Sequence, residues 1–60
     1  MPPVMSTVQA AAFLGTSSEY VRREILRHRL KALVLRSESG RRIYRISAVE
    51  LRRYLARYGE

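Results

Sequence analysis

Sixty residues with 47% apolar content allow one domain with one modest core. The sequence has no cysteine, no aspartate and a single histidine, which excludes disulfides and thiolate metal sites and leaves almost nothing for a metal centre or a carboxylate pair. Eleven arginines and one lysine against five glutamates give a net charge of +7, the balance of a protein whose partner is a polyanion.

Residues 1–5 open with Pro2-Pro3 and show no periodic pattern, so they read as a disordered, frayed N-terminal tail. From Ser6 the signals sharpen. Ser6-Thr7-Val8-Gln9 is a capping box, in which the Ser6 hydroxyl serves the third helical N–H and Gln9 reaches back. A first helix then runs to Leu14, with Val8, Ala11 and Ala12 on one face, and Gly15 suits the left-handed position that ends it. A second helix starts almost at once. Thr16 with Glu19 as a capping box, or Ser17 itself, supplies its N-cap. Val21 and Ile25 form its apolar pair, Arg22, Arg23 and Arg27 face largely elsewhere, and it ends around His28. Two helices joined by so short a turn make a helix-turn-helix.

The period then changes. Lys31 to Arg36 is β-prone, Ser37-Glu38-Ser39-Gly40 is turn chemistry with Gly40 free to take positive φ, and Arg42 to Ile46 is a returning strand. Tyr44 and Ile46 share one face of that strand and Arg45 the other. Ser47-Ala48-Val49-Glu50 is a third capping box, with Ile46 and Leu51 as a hydrophobic staple. Leu51, Tyr54, Leu55 and Tyr58 then form the apolar stripe of a third helix, stopped by Gly59. The expected fold is a small α+β winged helix-turn-helix, α-α-β-β-α, spanning residues 6–58.

A helix-turn-helix sets the start of its second helix into the major groove. Here that start is Ser17, Ser18, Glu19, Tyr20, Arg22 and Arg23. Arginine grips guanine bidentately, glutamate accepts from the cytosine amino group, and serine bonds base edges or phosphate. The competing reading is that Glu19 only completes the cap and Tyr20 only rests on the core. In the hairpin, Arg36, Arg41 and Arg42 flank a Gly-containing turn and suit a wing that holds phosphates or a narrow minor groove. Charge that merely protects a sheet edge is the alternative, but it does not require one sign at Arg36, Arg41, Arg42 and Arg45. Arg52, Arg53 and Arg57 read as a solvated face of helix 3, and His28 as a cap or dipole partner. No general base accompanies Tyr44, Tyr54 or Tyr58, so no enzyme, cofactor or small-molecule substrate is expected. The longest apolar run, Ala10 to Leu14, is too short for a membrane span, and no secretion signal stands at the N-terminus, which together point to a soluble cytoplasmic protein.

From Met5 to about Tyr58 the sequence resembles the excisionase-like, MerR-type winged helix-turn-helix family. The resemblance rests on Thr7 to Gly15, Ser17, Val21-Arg22-Arg23, Arg29-Leu30-Lys31-Ala32, Arg41 to Ile46 and Ser47 to Leu55. Two positions depart from the family: His28 and Lys31 stand where glycine and proline are frequent. The long coiled coil and effector domain of the family's transcription activators are absent here, so the likeness is to phage excisionases, also termed recombination directionality factors. It implies a non-catalytic, DNA-associated protein of a bacterium or phage-infected host. Such a protein binds tandem sites in double-stranded DNA beside an attachment site, bends the DNA and assists a tyrosine integrase, and its wing, here Arg36, Ser39, Gly40, Arg41 and Arg42, holds the adjacent minor groove or phosphates. Cooperative self-association on the DNA is compatible with it, and so is a weak dimer. A small transcriptional regulator of prophage genes is the alternative on the same module. A nucleic-acid-packaging or RNA-binding protein would need only the charge.

Overall fold

In the computed structural model, which describes residues 1–59, each helix begins at a serine whose hydroxyl replaces a missing backbone partner. Helix α1 spans Thr7–Leu14. The Ser6 hydroxyl accepts from the Gln9 N–H at 3.2 Å and the Gln9 side chain accepts from the Ser6 N–H at 3.0 Å, so both halves of the capping box form. Helix α2 spans Ser18–Leu26, and its cap is Ser17, which accepts from the Tyr20 N–H at 3.1 Å; Thr16 takes no part. Helix α3 spans Ala48–Tyr58, and Ser47 accepts from the Glu50 N–H at 3.1 Å. The Glu50 carboxylate turns to Arg53 at 3.0 Å instead of completing the box.

Helices α1 and α2 both end in a left-handed residue. Gly15 has φ 69°, with Thr16 N–H bonded to the Ala11 carbonyl at 2.9 Å. At the end of α2 the same arrangement recurs around His28, with φ 60° and Arg29 N–H bonded to the Glu24 carbonyl at 3.0 Å. One of the two departures from the family's sequence thus falls where the backbone asks for a glycine, and histidine accepts the strain.

Three antiparallel strands follow the order β1-β3-β2: β1 is Val4–Met5, β2 is Leu33–Arg36 and β3 is Arg42–Ser47. The hairpin register pairs Leu33 with Arg45, Val34 with Tyr44, Leu35 with Ile43 and Arg36 with Arg42. Gly40, at φ 84°, closes the turn. The helices and hairpin stand as expected, with one strand more. The reading of residues 1–5 as a frayed tail is corrected. Val4 and Met5 pair with Ser47 and Ile46, Met5 is fully buried, and the Pro3 carbonyl accepts from the Ala48 N–H at 2.9 Å. Two prolines lack donors but not acceptors, and a two-residue strand is too short to show a period.

The core joins Met5, Ala10, Ala11, Val21, Ile25, Leu30, Tyr44, Ile46, Leu51 and Tyr54. The expected staple is present, since Ile46 and Leu51 are both fully buried. On α1, however, Val8 is exposed and Ala10 and Ala11 carry the burial. Most of α1 is apolar, so its hydrophobic pattern does not single out a face. The stripe of α3 is buried only at Leu51 and Tyr54; Leu55 and Tyr58 line an open groove with Leu14, Thr16 and Tyr20.

Candidate nucleic-acid interface

The first turns of α2 are presented by the core beneath them. Val21, Glu24 and Ile25 are buried, so Glu19, Arg22 and Arg23, on the other face, are exposed, with Ser18 half-buried beside them. Ser17 spends its hydroxyl as a hydrogen-bond acceptor for the Tyr20 N–H, so the helix start is pre-formed, and the first turn of a helix favours an anion.

Tyr20 is the exception among the residues expected at the groove. Its ring is 38% exposed, but its hydroxyl lies 3.1 Å from the Tyr54 hydroxyl, which donates in turn to Glu24 Oε1 at 2.6 Å. Tyr20 thus ties α2 to α3 with its polar end, a link that neither reading of that residue contains. Glu24 is 3% exposed, with the Arg29 guanidinium 3.8 Å away. Burial, then the hydrogen bonds to Glu24 and Tyr20, push the Tyr54 phenol well above the ordinary tyrosine range. Sequence reasoning missed this buried carboxylate, although position 24 completes the i, i+3, i+4 face of Val21 and Ile25. A glutamate on that face needs a partner inside.

The wing is held as firmly. Gly40 N–H bonds to the Ser37 carbonyl at 2.9 Å, Ser37 N–H to the Arg41 carbonyl at 2.9 Å, and Arg41 N–H to the Ser37 hydroxyl at 3.2 Å. The Ser37 and Ser39 hydroxyls lie 2.9 Å apart, and the Arg36 guanidinium donates to the Gly40 carbonyl at 3.2 Å. Arg41 and Arg42 extend from this turn, both exposed.

The two elements meet. A groove of about 380 Å³ is lined by Arg22 from α2, by Ser37, Arg41 and Arg42 from the wing, and by Ser6 and Thr7 at the start of α1. Ser6 and Thr7 were not expected here; as a helix cap they gave no sign of facing the wing. Among the described residues, the ion pairs are Arg29–Glu24 and Arg53–Glu50, and Arg22, Arg23, Arg36, Arg41 and Arg42 form none. Unpaired cations around one groove raise a positive potential that a phosphate backbone relieves. Among the described residues no three metal-ligating side chains gather, and no helix is long and apolar enough to cross a membrane.

Compared with known proteins, the chain matches one protein-family description, Helix-turn-helix domain, over residues 4–59. No curated protein and no solved structure matches it.

Proposed function

The chain belongs to the helix-turn-helix domain family, a DNA-binding family, and from that premise we propose that it is an excision factor that shapes DNA rather than cutting it. In this reading Arg22 and Arg23, with Ser17, Ser18 and Glu19 around them, enter the major groove. Tyr20 lies at the margin and contributes its ring edge. The wing at Arg36, Ser39, Gly40, Arg41 and Arg42 holds the adjacent minor groove or its phosphates. Copies bind tandem sites beside an attachment site, associate on the DNA, bend it and assist a tyrosine integrase in the cytoplasm.

The observation that carries the DNA reading is the shared groove of Arg22, Arg41 and Arg42, none of which forms an ion pair among the described residues. The excision role draws its support from the family resemblance of the sequence. Selection of bound duplexes from a random pool at physiological salt, followed by sequencing, tests both. Direct repeats spaced near one helical turn are expected. An inverted repeat replaces the excision role with that of a dimeric regulator of transcription. No enrichment removes α2 as a base reader and leaves backbone binding alone.

A further inference from the structure

Strand β2 is an edge of the sheet, as the two-residue β1 is on the other side of β3. Every second residue of such a strand directs its N–H and C=O away from the sheet. Natural edges are blunted by lysine, proline or a bulge. Here charge stands only towards the ends, at Lys31 and Arg36, and the side chains of Leu33, Val34 and Leu35 between them are 62%, 49% and 44% exposed. An open apolar groove lies along each face of the hairpin at this edge. The inner one, about 650 Å³, is lined by Ile25 and Leu26 at the end of α2, by Val34 and Tyr44, and by the cations Lys31 and Arg42, with His28 at its side. The outer one, about 260 Å³, is lined by Leu33, Ala32, Lys31 and Arg45; its one carboxylate, Glu50, is tied to Arg53.

We propose that the β2 edge is a docking strand for an extended segment of a partner protein that alternates apolar with acidic residues. Such a segment adds a fourth strand. Its apolar side chains, on one face of the added strand, lie beside Leu33 and Leu35 on the outer face of the hairpin. Its acidic side chains, on the other face, meet Lys31 and Arg42 in the inner groove. A second copy of this chain is a poor occupant. It would bring together two edges, each flanked by Lys31 and Arg36, in a protein of net charge +7. A phosphate backbone is equally poor, since three consecutive apolar side chains offer it nothing. The docking strand lies apart from the first turns of α2 and adjoins the wing at Arg36 and Arg42, and it can be tested without DNA.

The probe is a capped eight-residue peptide of alternating valine and glutamate, titrated into the full chain at physiological salt and followed by amide chemical shifts. A valine–lysine peptide of the same alternation serves as control. The expected result is saturable shifts at Leu33 to Arg36 and at Ile25 and Leu26, with none from the lysine peptide. The double substitution Leu33→Glu and Leu35→Glu alters only exposed side chains and should weaken binding by about tenfold or more while the helical circular dichroism is unchanged. Shifts confined to Ser17–Arg23 and Arg41–Arg42 would mean that the peptide acts only as a polyanion, and would overturn the proposal. So would β2 shifts that depend on protein concentration without peptide, which would mark a second copy as occupant, and so would the absence of saturable binding.

Discussion

Replacing Tyr54 by phenylalanine removes one oxygen atom and leaves the packing of the ring against α2 intact. That oxygen is 2.6 Å from Glu24 Oε1 and 3.1 Å from the Tyr20 hydroxyl. After its loss Glu24 keeps only long partners, the Tyr20 hydroxyl at 3.5 Å and Arg29 at 3.8 Å, while remaining 3% exposed. A hydrogen bond to a charged group contributes about 1.5–3 kcal/mol. A domain of this size has about 3–9 kcal/mol in total, so the loss is a large fraction of it. Tm should fall by about 10–20 °C in a circular-dichroism melt at pH 7. The same substitution has an alkaline signature. The folded phenol titrates well above the unfolded value of about 10, so above that pH the unfolded chain releases a proton that the folded chain keeps. Stability contributed by Tyr54 is therefore complete below pH 10 and declines above it, by up to about 1.4 kcal/mol per pH unit. Tyr54→Phe should flatten that decline. A Tm within about 3 °C of the parent at pH 7, with an unaltered alkaline limb, would refute the network as the link between α2 and α3.

Three further outcomes follow from other parts of the molecule. Met5→Ala should cost about 2–5 kcal/mol in denaturant unfolding, because a fully buried side chain of β1 is truncated; a negligible change would restore residues 1–5 to a frayed tail. His28→Gly should raise stability by about 1 kcal/mol in the same assay, since glycine takes φ 60° without a Cβ clash; a decrease would show that the imidazole makes a compensating interaction. Arg41→Ala with Arg42→Ala should lower the slope of log affinity against log salt by about 0.9 for each phosphate that the wing no longer neutralises, and an unchanged slope would remove the wing from the interface.

Helix starts were legible because serine caps act locally: Ser6, Ser17 and Ser47 each bond an N–H three residues on, within the reach of a sequence pattern. The hairpin was legible because Gly40 and the alternation of Tyr44 and Ile46 are also local signals. Strand β1 was not, since its existence depends on Ser47 and Ile46, more than forty positions away, rather than on anything in Val4-Met5. The buried side of α1 was hidden by its nearly uniform apolar composition. For the interface, the sequence separates α2 from the wing by about twenty residues, and only the fold brings Arg22 into one groove with Arg41 and Arg42. Tyr20 illustrates the reverse. Its place at the start of α2 suggested DNA, whereas its hydroxyl is engaged by Tyr54, and the glutamate behind both was readable from its position between Val21 and Ile25.

The central claim is that the first turns of α2 and the tip of the wing grip one duplex together. Amide chemical shifts of the labelled protein, recorded with and without a selected duplex at physiological salt, test it residue by residue. The account predicts coincident shifts at Ser17 to Arg23 and at Arg36 to Arg42, with little change along the outer face of α3 at Arg52, Arg53 and Arg57. Shifts centred on those three arginines, with Arg22, Arg23, Arg41 and Arg42 unmoved, would contradict it and place the nucleic acid on the opposite element.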